Sequence, residues 1–234
     1  MTERAEHLKN KSCLSVVIPA LNAADTVTET LCALGEPPLL REVIVVDGGS
    51  RDDTARAVAE RGARVFIAPR GRGPQLRAGA ALALGPWLLF LHADCRVERG
   101  WAAAAERFIA RYGEARAGYF RFGLDDASRS ARRLERLVAW RCRVFGLPYG
   151  DQGLLIHRSL YDAVGGYAPI PLMEDVDLVR RLGRNRLAPI GAACVASARR
   201  YRREGYLRRP LRNLLCLSLY LAGVSPRRLV PLYG

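Results

Sequence analysis

The sequence has 234 residues, half of them hydrophobic, and a formal net charge of +14 at pH 7. This length supports one α/β domain with a substantial core. The positive charge is almost entirely arginine, since Lys9 and Lys11 are the only lysines, and it permits phosphorylated substrates, polyanions or an anionic membrane surface as partners. No nucleic-acid partner is expected, because the arginines are spread along the chain without a recognisable reader motif.

Residues 1–13 are expected to form a charged N-terminal tail, and they lack the apolar segment of a signal peptide. The six cysteines form no CxxC pair and have no metal-like spacing, which is typical of reduced core residues. We therefore expect a cytoplasmic protein, and we leave open a location at the inner face of the membrane.

Apolar runs of strand length alternate with helical patterns in the first half of the chain. Strands are predicted at 14–18, 43–46, 64–67 and 87–91, and helices at 24–34, 52–60, 74–84 and 100–112. Such an alternation predicts an α/β fold with three layers, α/β/α, around a mixed and mainly parallel sheet.

The alternation loosens after residue 112. Further strands are predicted at 117–122 and 153–156, and helices at 127–145, 159–164 and 176–182. In the long basic helix 127–145, four side chains are expected to face inward, namely Leu134, Leu137, Val138 and Val144.

Residues 214–224 are apolar except for Ser218 and are flanked by arginines. A membrane-spanning helix needs roughly 20 apolar residues, so this segment is too short. Two interpretations remain: a helix buried against the domain, which we favour, or a helix lying in the membrane interface with its arginines on phospholipid headgroups.

The segment VIVVDGGSRDDT, residues 43–54, is a β-branched run followed by an acid, two glycines and a serine. It predicts a buried strand that places Asp47 at the sheet edge, where ligands bind in open α/β sheets. Gly49 permits a tight turn, and Ser50 with Asp53 resembles a helix-capping pair. The alternative is a turn whose polar residues only cap the next helix.

Two further acidic sites follow predicted strands or loops. His92 and Asp94 come after the strand 87–91, and Glu174 with Asp175 opens the helix 176–182. Together with Asp47 they are expected to converge on one face of the sheet.

The motifs SVVIPALN, VIVVDGGSRDDT, LFLHADC, GGY and MEDVDL, found between residues 14 and 182, resemble those of the family-2 glycosyltransferases of the GT-A fold, in their compact bacterial branch. Members of this family move a sugar from a nucleotide diphosphate to an acceptor. The resemblance implies that Pro19, Leu21 and Asn22 line a nucleotide pocket with Gly49, and that Asp47 accepts a hydrogen bond from the base.

By the same resemblance, Asp94 matches the second acid of the family's DxD motif, which holds Mn²⁺ or Mg²⁺ on the diphosphate. Asp175 matches the catalytic base. From its place beside Asp175, Glu174 is expected to orient that residue or to contact the acceptor; the alternative is a first-turn acid that the helix dipole favours. The sequence departs from the pattern at His92, which stands where DxD has its first acid. Residues i and i+2 of an extended chain face the same way, so His92 and Asp94 are predicted to act together on the metal. A hydrogen-bonded structural histidine is the alternative at position 92.

Charge develops on a phosphate oxygen when a sugar leaves its diphosphate, and cations must offset it. Arg70, Arg72 and Arg77 of RGRGPQLRAG are predicted to bind this phosphate at a helix N-terminus. A solvated basic loop is the alternative. Asp151 and Gln152, in a polar stretch before a strand, are candidates for binding the acceptor or are turn residues.

We therefore predict an inverting glycosyltransferase of the hexosyl type with a UDP-sugar as the favoured donor and an unnamed acceptor. Its GT-A domain is expected at 14–204, with a nucleotide-binding half at 14–112 and an acceptor half at 113–204, followed by an apolar and basic C-terminal helix at 205–234 on the domain or on a membrane surface. The alternatives are a nucleotidyltransferase-like enzyme, disfavoured because no basic loop follows the first strand, and a non-enzymatic arginine-rich binder of nucleic acid or anionic lipid.

Overall fold

A computed structural model describes residues 12–233 of the chain, so the predicted N-terminal tail lies almost wholly outside the described residues. The strands of the described part are β1 Leu14–Ala20, β2 Leu40–Asp47, β3 Arg64–Ile67, β4 Trp87–Phe90, β5 Cys95–Val97, β6 Ala117–Leu124, β7 Leu154–His157 and β8 Leu187–Ala196. The α-helices are α1 Ala24–Leu34, α2 Thr54–Ala59, α3 Arg72–Leu82, α4 Trp101–Tyr112, α5 Arg129–Phe145, α6 Arg158–Ala163, α7 Glu174–Leu182, α8 Arg199–Glu204, α9 Arg208–Leu221 and α10 Pro226–Tyr233.

All eight strands form one sheet in the order β3-β2-β1-β4-β7-β6-β8-β5. Strands β3, β2, β1 and β4 run parallel. Strand β7 is antiparallel to both β4 and β6, β8 is parallel to β6, and β5 is antiparallel to β8. The strand order changes direction between β1 and β4, and ligands of open α/β sheets bind beyond the carboxyl ends of strands at such a point.

Helices cover both faces of the sheet. Within β1, Val16 and Ile18 face one apolar cluster while Val17 faces the other, because successive side chains of a strand point to opposite faces. The first cluster packs against α1, α4 and α5, and the second against α3, α6 and α7. The predicted three-layer α/β fold with a mixed, mainly parallel sheet is confirmed.

The predicted inward face of α5 is partly wrong. Leu134 and Val138 are buried as expected, but Leu137 is 56% exposed and Val144 is 39% exposed. The helix carries apolar side chains on two sides, so its periodicity alone does not identify the side that packs on the sheet.

Strands β5 and β8 were not predicted. Strand β5 has only three residues, and β8 contains Pro189 and Gly191 among small side chains, which are poor strand signals.

The C-terminal helices pack on the domain through a third apolar cluster, in which Cys216 and Leu229 meet Leu172, Met173 and Val176. Helix α9 is only partly buried, and several of its leucines are exposed. Between residues 12 and 233, no helix combines the length and the hydropathy required to cross a bilayer.

Candidate active site

The turns that follow β1 and β2 are joined by hydrogen bonds. The buried carboxylate of Asp47 accepts hydrogen bonds from the backbone N–H and the hydroxyl of Ser50. The Ser50 hydroxyl in turn accepts from the Asn22 N–H at 2.8 Å, and Asn22 Oδ1 accepts from the Arg51 N–H at 2.9 Å. Ser50 therefore binds Asp47 rather than capping α2, which corrects the capping pair expected with Asp53.

Gln75 hydrogen-bonds to the ends of β1 and β2, a role that was not predicted from the sequence. Its side-chain amide, 3% exposed, donates to the carbonyls of Ala20 at 2.8 Å and Val46 at 2.7 Å. A Cβ at Gly48 would lie 3.2 Å from the same amide. A side chain at position 48 would therefore need the Gln75 amide to move, which favours glycine there.

Most of the other predicted catalytic and metal residues lie around one cleft of about 120 Å³. Its lining includes Arg72, His92, Asp94, Asp151 and Asp175. The fold therefore brings together five residues that lie up to about a hundred positions apart in the chain. Such a site is expected where the carboxyl ends of several strands converge.

His92 and Asp94 lie on the loop before β5, and Cys95 is the first residue of that strand. One ligand atom from each of the three lies within 4.8 Å of the others. Burial and the charge of Arg72 lower the pKa of His92 to about 4, so the imidazole is neutral at pH 7, the form that binds metals. A hydrogen bond with Cys194, together with burial, raises the pKa of the Cys95 thiol well above its ordinary value. A protonated thiol is a weak ligand, which leaves His92 and Asp94 as the pair suited to a divalent cation.

Asp175 is held at the start of α7 by backbone donors. Its Oδ2 accepts from the Gly150 N–H at 2.7 Å and its Oδ1 from the Val176 N–H at 2.8 Å. Met173, the residue just before α7, has a φ of +65°, a conformation that a non-glycine residue adopts at a cost. This turn directs the Asp175 carboxylate into the cleft.

Glu174 does not line the cleft with Asp175. It is fully buried, and its Oε1 lies 2.9 Å from Arg72 Nε in an ion pair whose angle is not that of a hydrogen bond, so both carboxylate oxygens lack a hydrogen-bond donor. Burial raises the pKa of Glu174 to about 7, although Arg72 opposes this. Burial in turn disfavours the charge of Arg72, but Glu174, Tyr233, Asp175 and Asp151 together outweigh it and raise the Arg72 pKa. The pair fixes the guanidinium of Arg72 at the cleft.

Three polar atoms at the cleft have no hydrogen-bond partner among the described residues: Tyr149 Oη, Asp151 Oδ1 and Asn213 Oδ1. Burial raises the pKa of Asp151 to about 6. Unpaired buried polar groups are rare because each costs free energy, and they often mark a ligand position. Asn213 belongs to α9 and was not predicted; it lies just before the apolar segment 214–224 and belongs to none of the motifs.

Gln152 lies beneath the cleft rather than in it. It is 2% exposed, its amide donates to the Phe120 carbonyl at 3.0 Å, and its Oε1 accepts from Tyr149 N and Arg141 Nη2, each at 3.3 Å. Its hydrogen-bonding groups are occupied within the fold, so Asp151 alone of the predicted acceptor pair faces the cleft.

The three predicted phosphate-binding arginines are placed differently. Arg72, the first residue of α3, lines the cleft, whereas Arg70 and Arg77 are exposed. The ring of Tyr233 lies between the guanidinium groups of Arg72 and Arg209, at 5.7 Å and 4.6 Å. The C-terminal helices therefore form one wall of the cleft, which the motif pattern did not indicate.

A family model for glycosyl transferase family 2 matches residues 15–170, more than half of the chain. The chain belongs to glycosyl transferase family 2. The matched range contains the turns at Asn22 and Asp47 and the loop at His92 and Asp94. The motif MEDVDL, which contains Asp175, lies just beyond it.

Curated relatives include uncharacterised glycosyltransferases of Mycobacterium tuberculosis strain H37Rv and of Mycobacterium bovis. Each is 35% identical over 88 residues, which are 37% of this chain and 39% of the relative. The match thus spans about two fifths of the length of these relatives.

Solved structures share the fold. Glucosyl-3-phosphoglycerate synthase from Mycobacterium tuberculosis, in complex with Mn²⁺, UDP and glucosyl-3-phosphoglycerate, superposes with a TM-score of 0.57 at 22% identity, covering 82% of this chain and 73% of that one. Residues 1–349 of TarS from Staphylococcus aureus give a TM-score of 0.58 at 17% identity, covering 94% and 69%. The GT-A form of this family-2 member is confirmed.

Proposed function

We propose that the protein is an inverting glycosyltransferase that moves a sugar from a nucleotide-diphospho-sugar, with UDP as the favoured nucleotide, to an acceptor hydroxyl. The observation that carries this proposal is the single cleft lined by Asp175, Asp94, His92 and Arg72. Membership of glycosyl transferase family 2 supports the reaction class, and the UDP and Mn²⁺ of the solved synthase support the choice of nucleotide and metal.

The first part of the chain, 14–112, would bind the donor. The linked turns after β1 and β2 hold Asn22 and Asp47 at the carboxyl ends of neighbouring parallel strands, where nucleotides bind in open sheets. Pro19, Leu21 and Gly49 belong to the same two segments. These five residues are the proposed nucleoside contacts.

The leaving diphosphate would meet two sources of positive charge. Arg72 faces the cleft with its guanidinium fixed by the buried Glu174. His92 and Asp94 would hold Mn²⁺ or Mg²⁺, a Lewis acid that offsets the charge developing on the phosphate oxygen. Glu174 thus acts as a positioning residue rather than as a group that touches substrate.

Asp175 would remove the proton of the acceptor hydroxyl. The Gly150 and Val176 N–H groups each occupy one lone-pair direction of the carboxylate, and the carboxylate keeps further acceptor sites for the proton. A base acting on the side opposite the diphosphate gives attack in line with the leaving group, and that geometry inverts the configuration at the anomeric carbon.

The acceptor would be bound by the second part of the chain, 113–204, with help from α9. Tyr149 Oη, Asp151 Oδ1 and Asn213 Oδ1 lack partners at the cleft. Hydroxyl groups of an acceptor could supply the missing hydrogen bonds. A polyhydroxylated acceptor fits this set of one donor-acceptor and two acceptor atoms.

The direct test measures the turnover of nucleotide sugars, with the products monitored by NMR. Wild-type protein with Mn²⁺ is expected to release UDP from an α-linked UDP-sugar, and the sugar first appearing is expected in the β configuration. Release of an α-sugar would contradict inversion. Absence of turnover with every nucleotide sugar, alone and with polyol acceptors, would contradict the proposed activity.

A further inference from the structure

Large apolar side chains are exposed mainly on three helices of the described chain. Four of them lie on α5 and seven between residues 207 and 232, whereas Ile67 and Leu84 are the other two and lie apart. Single exposed apolar residues are ordinary, but a clustered set marks a contact surface.

Helix α9 carries its exposed leucines as a stripe. Leu207, Leu211, Leu214, Leu215 and Leu221 are between 49% and 71% exposed, and their spacing places them on one side of the helix. The opposite side holds the buried Arg209 and Cys216. The helix is therefore anchored to the domain by one side and presents leucines on the other.

Helix α5 has the same arrangement. Leu137, Trp140, Val144 and Phe145 are 39–56% exposed, while Leu134 and Val138 are buried on the sheet. The rings of Trp140 and Phe145 pack edge to face with centroids 5.4 Å apart. We call the exposed side chains of these two stripes, from Leu137 to Phe145 and from Leu207 to Leu221, the apolar face.

Helix α9 lines the cleft through Asn213 and Leu217, and the segments on either side of α5 contact the C-terminal part of the chain. Just before α5, Asp126 accepts a hydrogen bond from the Tyr206 hydroxyl at 2.8 Å. Just after α5, Tyr149 packs against the cluster of Cys216 and Leu229 and lines the cleft with Leu217. The segment from residue 206 to α10 therefore runs past both ends of α5.

The two segments that carry the apolar face are rich in arginine and poor in acids. Residues 129–145 contain six arginines and one glutamate, and residues 199–233 contain nine arginines and one glutamate. Exposed leucines rimmed by arginines are typical of helices that lie in a membrane interface and bind anionic lipids.

We propose that the apolar face docks the protein on an anionic phospholipid bilayer, with the mouth of the cleft beside the lipid. Helix α9 has 14 residues, about 21 Å at 1.5 Å per residue, which is shorter than the ~30 Å core of a bilayer. It therefore lies on the surface and does not span it. A second copy of the chain is disfavoured as the occupant, because a two-fold contact would bring the same arginine-rich helices together.

Vesicle co-sedimentation of the full chain tests this docking. Wild-type protein is expected to pellet with vesicles of phosphatidylcholine and phosphatidylglycerol, and not with phosphatidylcholine alone. The double variant Leu211→Ser/Leu214→Ser is expected to bind at least roughly tenfold more weakly, because partitioning scales with the apolar area that enters the interface. The matched control is Ile67→Ser/Leu84→Ser, two exposed apolar residues away from the face, and it is expected to bind like wild type.

Tryptophan fluorescence tests the α5 side separately. Of the three tryptophans, Trp87 and Trp101 are about 5% and 4% exposed, and Trp140 is 53% exposed. Anionic vesicles are expected to shift the emission to the blue in wild type and not in Trp140→Phe. The proposal would be overturned if wild-type protein pelleted equally with neutral and anionic vesicles, or if the control variant lost as much binding as Leu211→Ser/Leu214→Ser. It would also be overturned by a dimer in sedimentation velocity that Leu211→Ser/Leu214→Ser dissociates.

Discussion

Arg72 Nε lies 2.9 Å from Glu174 Oε1, and this ion pair joins the first residue of α3 to the first residue of α7. The two helix starts also meet through backbone, because the Gly73 N–H donates to the Ile170 carbonyl at 3.2 Å and a Cβ at Gly73 would overlap the carbonyl oxygens of Ala168 and Ile170. The parts of the cleft proposed to bind the donor and the acceptor are thereby held in one arrangement.

The first prediction concerns the pH dependence of stability. Burial raises the pKa of Glu174 from 4.5 to about 7, so the folded state binds the proton more tightly than the unfolded state. The stability associated with this proton is present below about pH 4.5 and is lost as the pH rises to about 7, an effect on the order of 3 kcal/mol. When the free energy of unfolding is measured in urea between pH 4.5 and 7, Glu174→Gln is expected to remove this decrease.

Glu98→Gln is the matched control, since Glu98 is 41% exposed and pairs with Arg121 at the surface. It is expected to leave the profile unchanged. If Glu174→Gln retains the wild-type slope between pH 4.5 and 7, the buried carboxyl does not titrate as the structure implies.

The second prediction concerns the metal ligands. Asp94→Asn is expected to remove the Mn²⁺-dependent part of the rise in melting temperature caused by UDP, because a ligand stabilises the state that binds it. His92→Asp restores two carboxylates and is expected to favour Mg²⁺ over Mn²⁺ relative to wild type, since hard cations prefer oxygen. An undiminished Mn²⁺ effect in Asp94→Asn would place the metal elsewhere.

The third prediction concerns Gly150. A Cβ there would overlap His92 Nε2 and lie 3.3 Å from Asp175 Oδ2, so Gly150→Ala is expected to displace the imidazole and to slow sugar transfer by about 100-fold, the scale of a 1 Å misplacement. The control is Gly123→Ala in β6, where the nearest atom would lie at an ordinary 3.4 Å. Similar rates in both variants would show that the contact of Gly150 with His92 has no catalytic consequence.

The sheet could be predicted where large apolar runs end in turn residues, as at Val43–Val46 followed by Asp47. It could not be predicted at β8, where Pro189 and Gly191 interrupt a run of small residues. The prediction of the buried side of α5 was partly wrong for a related reason. Leu137 and Leu134 have the same chemistry, so only the packing of the whole domain decides which of them is buried.

The residues of the candidate site could likewise be predicted only where a short local motif contains them. Asp94 and Asp175 lie in short motifs, so local sequence was sufficient to select them. Gln75 could not be selected, because its partners Ala20 and Val46 lie far away in the chain. Asn213 reaches the cleft only through the packing of α9, which no motif encodes.

The role of Asp175 as the base is tested by measuring how Asp175→Asn affects sugar transfer and nucleotide binding in the same preparation. The base is predicted to contribute about 10²–10⁴-fold to the rate, so UDP release from a UDP-sugar should fall by that factor while the UDP and Mn²⁺ shift in melting temperature stays at the wild-type value. Transfer at the wild-type rate in Asp175→Asn would contradict the assignment of this carboxylate as the base.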